Sequence, residues 1–219
     1  MKEEDLKRLK SKLPEKPGIL GRDKYFNSAV LIPLVLIHRQ YHFLFQKRAA
    51  GIRQGGEVCF PGGGFDPRID LDFRQSAIRE TCEELGIPEE KITIEGRLDT
   101  VVSNMGVLVE PYIGRLKIEG MDELSLNKLE VEAVFTLPVA YFKENLPDEY
   151  QVRLMAEPYF FKDGNKIELL PSERLGLPRK YHQAWGGKQN RVFVYETPQG
   201  TIWGITAELI HEVIKYCKQ

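Results

Sequence analysis

The chain has 219 residues, of which 42% are hydrophobic and 29% are charged, a composition typical of a globular protein and not of a fibre or a coiled coil. Its 31 basic residues nearly balance its 32 acidic residues, giving a formal net charge of −1. This balance argues against a general nucleic-acid-binding surface, which carries excess positive charge. The three cysteines are too few and too scattered for a disulfide framework or a zinc site, so we expect a reducing, cytoplasmic location.

Two features argue against a membrane or secreted protein. The longest apolar run, residues 29–37, falls far short of the roughly 20 residues that span a bilayer, and it is typical of a buried strand. The amino-terminal residues are too charged for a secretory signal. We therefore expect no membrane partner, and motifs must decide among the remaining function classes.

The first third of the chain predicts a short helix, two strands and a glycine-rich loop. Leu6, Leu9 and Leu13 recur at helical spacing, so residues 2–13 predict an amphipathic helix. Two apolar runs then predict the strands of a hairpin, at residues 28–37 and 41–46. Glycines mark residues 48–64 as a loop, and residues 58–60 within it form one short extended piece.

A clear helix is predicted over residues 73–85, where an apolar stripe lies along one face and Gly86 and Pro88 end the helix. Further strands are predicted at residues 92–102, 107–117 and 131–137, in hairpins over 157–170 and 191–204, and a closing helix at 206–215. Strands before, between and after two main helices predict an α/β sandwich in one domain over residues 1–219.

Three carboxylates share one face of the predicted central helix. Residues three and four apart are neighbours on a helix, so Glu80, Glu83 and Glu84 project together. Such carboxylates repel one another unless a cation neutralises them, and hard oxygen ligands select Mg²⁺ or Mn²⁺. Arg79 lies four residues before Glu83 and could orient it. The alternative is a solvated acidic face with a helical ion pair.

The glycine loop at residues 60–64 leads toward this helix and favours a binding site. Glycine permits a close approach of the backbone to a ligand and presents amide and carbonyl groups to a phosphate or a metal. Together with the acidic helix face, this loop predicts a magnesium-dependent site for a phosphate-bearing substrate.

These residues resemble the Nudix hydrolase signature, G-x5-E-x7-R-E-U-x-E-E-x-G-U, in which U is a bulky apolar residue. The second half matches at Arg79, Glu80, Glu83, Glu84, Gly86 and Ile87. The first half departs, because counting back eight residues from Arg79 gives Leu71 where the pattern has Glu. Asp70 and Asp72 flank this position, and Gly64 lies one residue too far upstream. The loop therefore looks as though it carries an insertion.

The segment before the helix is similar to that of coenzyme A pyrophosphatases within this family. Leu44, Arg48, Gly56 and the run 60–63 match L-L-T-x-R-S-x3-R-x3-G-x3-F-P-G-G, whereas Arg53 lies one residue nearer Gly56 than the pattern has it. The resemblance implies an α/β (α+β) fold, a Nudix-like α/β/α sandwich with a mixed sheet. It places a helical extension at residues 1–27 and the glycine loop with the signature helix at residues 43–87.

The resemblance also implies roles for particular residues. Glu80, Glu83 and Glu84 would bind Mg²⁺ or Mn²⁺, with the carbonyl group of Gly63 or Gly64 as an additional ligand, and Glu80 could act partly as a base. Glu130 is the candidate general base and Glu132 the second choice, although either could be a solvated loop acid. Arg48 and Arg53 would hold substrate phosphates, since a guanidinium pairs bidentately with phosphate; otherwise they are surface arginines.

The implied activity is hydrolysis of coenzyme A or its derivatives at the diphosphate, giving 3′,5′-ADP and 4′-phosphopantetheine or its acylated form. One alternative is a diphosphatase for ADP-ribose, nucleoside-diphosphate sugars or dinucleotides. Another is a non-catalytic nucleotide-sensing module, supported only by the missing Glu at Leu71. The implied partner is a small nucleotide-like molecule rather than a nucleic acid, and a homodimer is compatible with the sequence.

Overall fold

The structure is a computed structural model and describes residues 1–217. In these residues four α-helices are formed: α1 Glu3–Lys12, α2 Phe73–Leu85, α3 Val139–Glu144 and α4 Gly204–Cys217. The strands of the same residues are β1 Phe26–Ile37, β2 Gln40–Arg48, β3 Val58–Cys59, β4 Gly62–Gly64, β5 Ile92–Arg97, β6 Val101–Ser103, β7 Val107–Leu116, β8 Val131–Pro138, β9 Asp148–Ala156, β10 Tyr159–Lys162, β11 Asn165–Glu168, β12 Trp185–Thr197 and β13 Gly200–Trp203. The fold is mixed α+β with a large mixed sheet, as predicted.

The chain divides into two compact units. The first contains Met1–Val35 and Phe60–Asn127, and the second contains Leu36–Cys59 and residues 128–217. In the first unit, β1 pairs in parallel with β7 and antiparallel with β4, while β5 and β6 pair antiparallel with β7. Strand β1 is central and largely buried, which explains its near-continuous apolar sequence.

Helix α2 packs on β4 and β7 within the first unit. It begins after Asp72, whose carboxylate accepts a hydrogen bond from the backbone N–H of Gln75 at 2.8 Å. It ends at Gly86, which adopts a left-handed conformation with φ of 65°. Ala77, Ile78 and Leu85 are buried on the inner face, so the predicted helix and its apolar stripe are confirmed.

The second unit contains an aromatic core on β2 and a separate three-stranded sheet. Strand β2 pairs antiparallel with β3 and β8, and Phe43 and Phe45 both pack against Phe142 of α3. Strand β12 pairs antiparallel with β9 on one side and β13 on the other. Helix α4 packs on β12 and β13 through a buried face that includes Leu209 and Ile210.

The structure differs from the sequence-based elements in several places. The predicted strand 92–102 is divided into β5 and β6, and residues 62–64 form a strand instead of a loop. Helix α3 and strand β9 were not predicted, although Tyr150, Val152 and Leu154 of β9 alternate with polar residues; almost every β9 side chain is exposed. Strand β12 and helix α4 are longer than expected. Among the described residues, no helix is long and apolar enough to cross a membrane.

Candidate active site

The glycine loop is held as a strand of the first unit. Strand β4 pairs with β1 in the register Ala29 with Gly63, and the Pro61 carbonyl oxygen accepts a hydrogen bond from the N–H of Leu31 at 2.9 Å. A side chain at Gly62, where φ is 151°, would overlap the backbone of Ala29 and Val30. The sheet therefore fixes the directions of the amide and carbonyl groups in this segment.

Two carboxylates of α2 lie directly against this glycine strand. The Gly62 N–H donates a hydrogen bond to Oε2 of Glu84 at 2.9 Å, and Glu84 is 3% exposed. At the next residue, a Cβ built on Gly63 would overlap the carboxylate of Glu80. Glycine at this position therefore permits a close approach between backbone and carboxylate, which the sequence predicted in general terms.

Arg79 contacts Glu80 and Glu83, two of the three carboxylates on the acidic face of the helix. Its Nη1 donates to Oε1 of Glu80 at 2.8 Å and lies 3.3 Å from Oε2 of Glu83, which is largely exposed. Its Nη2 donates to the Gly64 carbonyl oxygen at 3.3 Å. The expected contact with Glu83 is present, and the arginine also joins the helix to the glycine strand.

Asp70 completes this network and was not identified from the sequence as a site residue. Its Oδ1 and Oδ2 accept hydrogen bonds from Nε and Nη2 of Arg79 at 2.8 and 3.0 Å, and Oδ2 also accepts the Asp66 N–H at 2.9 Å. The carboxylate is fully buried. Hydrogen bonding to Arg79 lowers the pKa of Asp70, and the same bond raises the pKa of Arg79.

The position where the signature has Glu is thus taken by Asp70 and not by Leu71. The side chain of Leu71 is 92% exposed, and Asp72 is the N-cap of α2. Counted forward from Gly64, Asp70 stands at the signature spacing, and one extra residue lies between Asp70 and Arg79. Asp70 could therefore have been found from the sequence by counting forward from Gly64.

The donors around α2 fit a hard divalent cation in their chemistry. They are carboxylate oxygens beside a glycine strand whose close approach excludes any side chain at Gly63. Among residues 1–217, however, no three His, Cys, Asp or Glu side chains stand in the arrangement of a metal site. In this arrangement the cationic group among the acids is the Arg79 guanidinium. Metal binding by Glu80, Glu83 and Glu84 stays a prediction.

The other predicted site residues lie in the second unit. Nε of Arg48 donates to the backbone carbonyl oxygen of Arg53 at 3.1 Å, so the structure brings these two residues together. Glu130 is exposed, and its backbone carbonyl oxygen accepts the Ala49 N–H at 2.8 Å. Glu132 is engaged in an ion pair with Nζ of Lys47 at 2.7 Å. The substrate and base roles of these residues stay predictions.

Comparison with known proteins decides the family. A protein-family model described as the NUDIX domain matches residues 27–146, which include β4, α2 and the Asp70–Arg79 pair. The chain belongs to the Nudix hydrolase family. It is also similar to an uncharacterized Nudix hydrolase, NudL, of Photorhabdus laumondii, with 30% identity across 94% of this chain and 92% of the relative.

Two further relatives of this Nudix hydrolase have named substrates. The mitochondrial coenzyme A diphosphatase NUDT8 of Mus musculus is 30% identical over 73% of this chain and 71% of its own length. The peroxisomal coenzyme A diphosphatase NUDT7 of Mus musculus is 35% identical over 52% of this chain, a match that spans 48% of that relative. Nudix hydrolases generally use divalent metal ions.

Proposed function

We propose that this Nudix hydrolase cleaves the diphosphate bond of coenzyme A or its derivatives and releases 3′,5′-ADP and 4′-phosphopantetheine or its acylated form. The observation that carries the hydrolytic part is the placement of Glu80 and Glu84 against the glycine strand. The substrate part is supported by the segment from Leu44 to Gly63 and by similarity to the two coenzyme A diphosphatases.

The acidic face of α2 is proposed as the metal site. Glu80, Glu83 and Glu84 would hold Mg²⁺ or Mn²⁺, which neutralises charge on the phosphoryl oxygens when bound. Asp70 fixes the guanidinium of Arg79, and Arg79 in turn orients the carboxylates of Glu80 and Glu83. The Gly63 and Gly64 carbonyl groups, fixed by pairing of β4 with β1, are proposed as further polar contacts to metal or substrate.

In the reaction, water adds to a phosphorus atom and the bridging oxygen leaves with the other phosphate. We propose that Glu130 takes the proton of the attacking water, because it is exposed and Glu132 is already paired with Lys47. Arg48 and Arg53 are proposed to bind phosphate groups of the substrate. A cytoplasmic location and a homodimer remain parts of the proposal that rest on the sequence alone.

Hydrolysis of ADP-ribose, nucleoside-diphosphate sugars or dinucleotides is the competing activity. The non-catalytic sensor has lost its support, because that idea depended on a missing acidic residue at Leu71 and Asp70 supplies the acid.

A substrate panel with product identification tests the proposal. The purified full chain is incubated with Mg²⁺ or Mn²⁺ and coenzyme A, acetyl-coenzyme A, ADP-ribose or diadenosine tetraphosphate, and the products are separated and weighed by mass spectrometry. We expect 3′,5′-ADP from the two coenzyme A substrates. Consumption of ADP-ribose or the dinucleotide with no cleavage of coenzyme A would overturn the proposed substrate. Glu84→Gln, treated identically, controls for a contaminating enzyme.

A further inference from the structure

A groove of about 670 Å³ lies within the second unit, apart from the residues to which a role has been assigned above. We call it the Trp203 groove. The antiparallel strands β12 and β13 and the turn between them contribute Val194, Trp203 and Gln199. Strands β2 and β3 and the loop between them contribute Lys47, Val58 and Glu57.

The sheet holds the indole ring of Trp203 toward this groove. Along β13 the side chains alternate, so Thr201 and Trp203 are exposed while Ile202 between them is completely buried. Val194 stands opposite Trp203 in the β12–β13 register and also lines the groove. The Trp203 side chain, 48% exposed, therefore offers a ring to a ligand without rearrangement of its strand.

The lining combines an aromatic plane with one cation and two hydrogen-bond acceptors. An exposed indole stacks on a nucleobase, and such stacking is tolerant of base sequence because every base has a flat π-face. Lys47 supplies an ammonium group whose partner Glu132 is 47% exposed. The ammonium group has three N–H donors, so Lys47 can bind a phosphate while it keeps its ion pair with Glu132. Glu57 and Gln199 add oxygen atoms that can accept a hydrogen bond from an amino group.

We propose that the Trp203 groove binds the adenine nucleotide half of the substrate, with the base stacked on Trp203 and a phosphate on Lys47. This inference rests on the proposed function, in that 3′,5′-ADP is one of the two product halves. The exocyclic amino group of adenine can donate a hydrogen bond to a side-chain oxygen of Glu57 or Gln199, whereas 4′-phosphopantetheine has no aromatic ring to stack. The groove therefore distinguishes the two halves of the molecule.

Binding is tested first by tryptophan fluorescence, without catalysis. The chain contains two tryptophans, Trp185 and Trp203, and the Trp185 ring packs edge-on against Tyr181 with centroids 5.4 Å apart. Trp185→Phe leaves Trp203 as the only reporter, and Trp203→Phe leaves Trp185. Titration with 3′,5′-ADP is expected to quench the Trp185→Phe protein saturably and to leave the Trp203→Phe protein unchanged. Equal quenching by 4′-phosphopantetheine, or none by 3′,5′-ADP, overturns the proposal.

Kinetics then tests whether the groove serves the reaction. Trp203→Leu removes the stacking plane and is expected to raise KM for coenzyme A about tenfold with little change in kcat. Trp203→Phe keeps a ring and should retain a KM near that of the wild type. Phe161→Leu, which removes another exposed aromatic outside the groove, is the matched control and should change neither parameter.

The two proposals fail in different ways. Cleavage of coenzyme A with an unchanged KM in Trp203→Leu would overturn the nucleotide groove alone. Saturable quenching by 3′,5′-ADP in a protein that does not cleave coenzyme A would overturn the proposed substrate and support the groove. Circular dichroism of each variant establishes that it is folded before either comparison is made.

Discussion

Asp70 and Arg79 form a two-point ion pair in which the buried carboxylate receives Nε and Nη2 at 2.8 and 3.0 Å. Arg79 also contacts Glu80, Glu83 and the carbonyl oxygen of Gly64. One guanidinium therefore connects the loop before α2, the acidic face of α2 and the glycine strand. The orientation of the proposed metal ligands therefore depends, through Arg79, on Asp70, a residue that would touch neither metal nor substrate.

Asp70→Ala is expected to destabilise the protein and to lower its activity. Removing one partner of a buried ion pair leaves the charge of the other uncompensated. Because Arg79 is only partly buried, this cost is reduced, and we expect the free energy of unfolding to fall by about 2 to 4 kcal/mol. Urea denaturation measures this loss. Leu71→Ala is the matched control, because Leu71 is almost fully exposed. An effect of Leu71→Ala as large as that of Asp70→Ala would contradict the assignment.

The same pair predicts an acid-dependent loss of stability. Hydrogen bonding to Arg79 lowers the pKa of Asp70 in the folded state. The pair therefore contributes fully to the free energy of unfolding above the unfolded-state pKa of about 3.9, and the contribution is lost as the pH falls through the pKa of Asp70 in the folded protein. The difference in unfolding free energy between wild type and Asp70→Asn should shrink as the pH is lowered from about 5 through the unfolded pKa. A difference that stays constant across this range would show that the ionised pair is not its source.

Neighbouring glycines of β4 should respond differently to alanine. A Cβ at Gly63 would meet the carboxylate end of the Glu80 side chain. A Cβ at Gly62 would meet the backbone of Ala29, and Gly62 itself has a positive φ. We expect Gly63→Ala to lower kcat by about a hundredfold through displacement of the carboxylate, with a change in stability of about 1 kcal/mol or less. Gly62→Ala should instead destabilise the fold.

Gly96→Ala is the control for both glycine variants, because the space around Gly96 is open and its backbone is not in the left-handed region. Activity and thermal melting are measured side by side. If Gly63→Ala lost stability and activity in the same proportion as Gly62→Ala, the close approach of Glu80 would have no special role in the reaction.

Glu84→Gln is expected to abolish most activity while the fold is retained. The amide keeps an oxygen that can accept the Gly62 N–H, but it removes the charge that a metal ligand needs. We expect kcat to fall by at least about a hundredfold, with a thermal transition close to that of the wild type. Glu89→Gln, at an exposed acid just beyond the helix, should be fully active. Normal activity of Glu84→Gln would remove Glu84 from the site.

The general base is tested by comparing Glu130→Gln with Glu132→Gln. Glu130 is exposed, whereas Glu132 pairs with Lys47, so we expect only Glu130→Gln to lower kcat, by about a hundredfold or more. It should also remove the acid limb of the pH–rate profile, because the group that must be deprotonated is gone. The reverse ranking of the two variants would assign the base to Glu132.

Local sequence patterns predicted the parts of the fold that have a strong local cause. Helix α2 was placed correctly because its apolar stripe and its terminating Gly86 both act within a few residues. Strand β9 was missed although Tyr150, Val152 and Leu154 alternate with polar residues; almost all its side chains are exposed, and its pairing with β12 is a long-range effect. Strand β4 was taken for a loop because three glycines have little strand propensity; its pairing with β1 is a long-range effect.

The candidate site was predictable to a similar degree. The clustering of Glu80, Glu83 and Glu84 on one face follows from helix geometry, and the contact of Arg79 with Glu83 follows from their spacing. The partner of Arg79 could not be found by counting back along the chain, because the loop between Asp70 and α2 holds one extra residue. Folding of the loop, with Asp66 bonded to Asp70, brings the acid to the arginine.

In this loop an acid contacts the signature arginine although its spacing in the sequence departs from the signature. The additional residue lies between Asp70 and Arg79, where Leu71 projects outward and Asp72 begins the helix. The acid is also one methylene shorter than the glutamate of the signature, yet it reaches the guanidinium with both oxygens. A pattern search with fixed spacing would discard this chain, whereas a search for a carboxylate at a given point relative to the helix would keep it. Relatives with irregular spacing are better recognised by that spatial criterion.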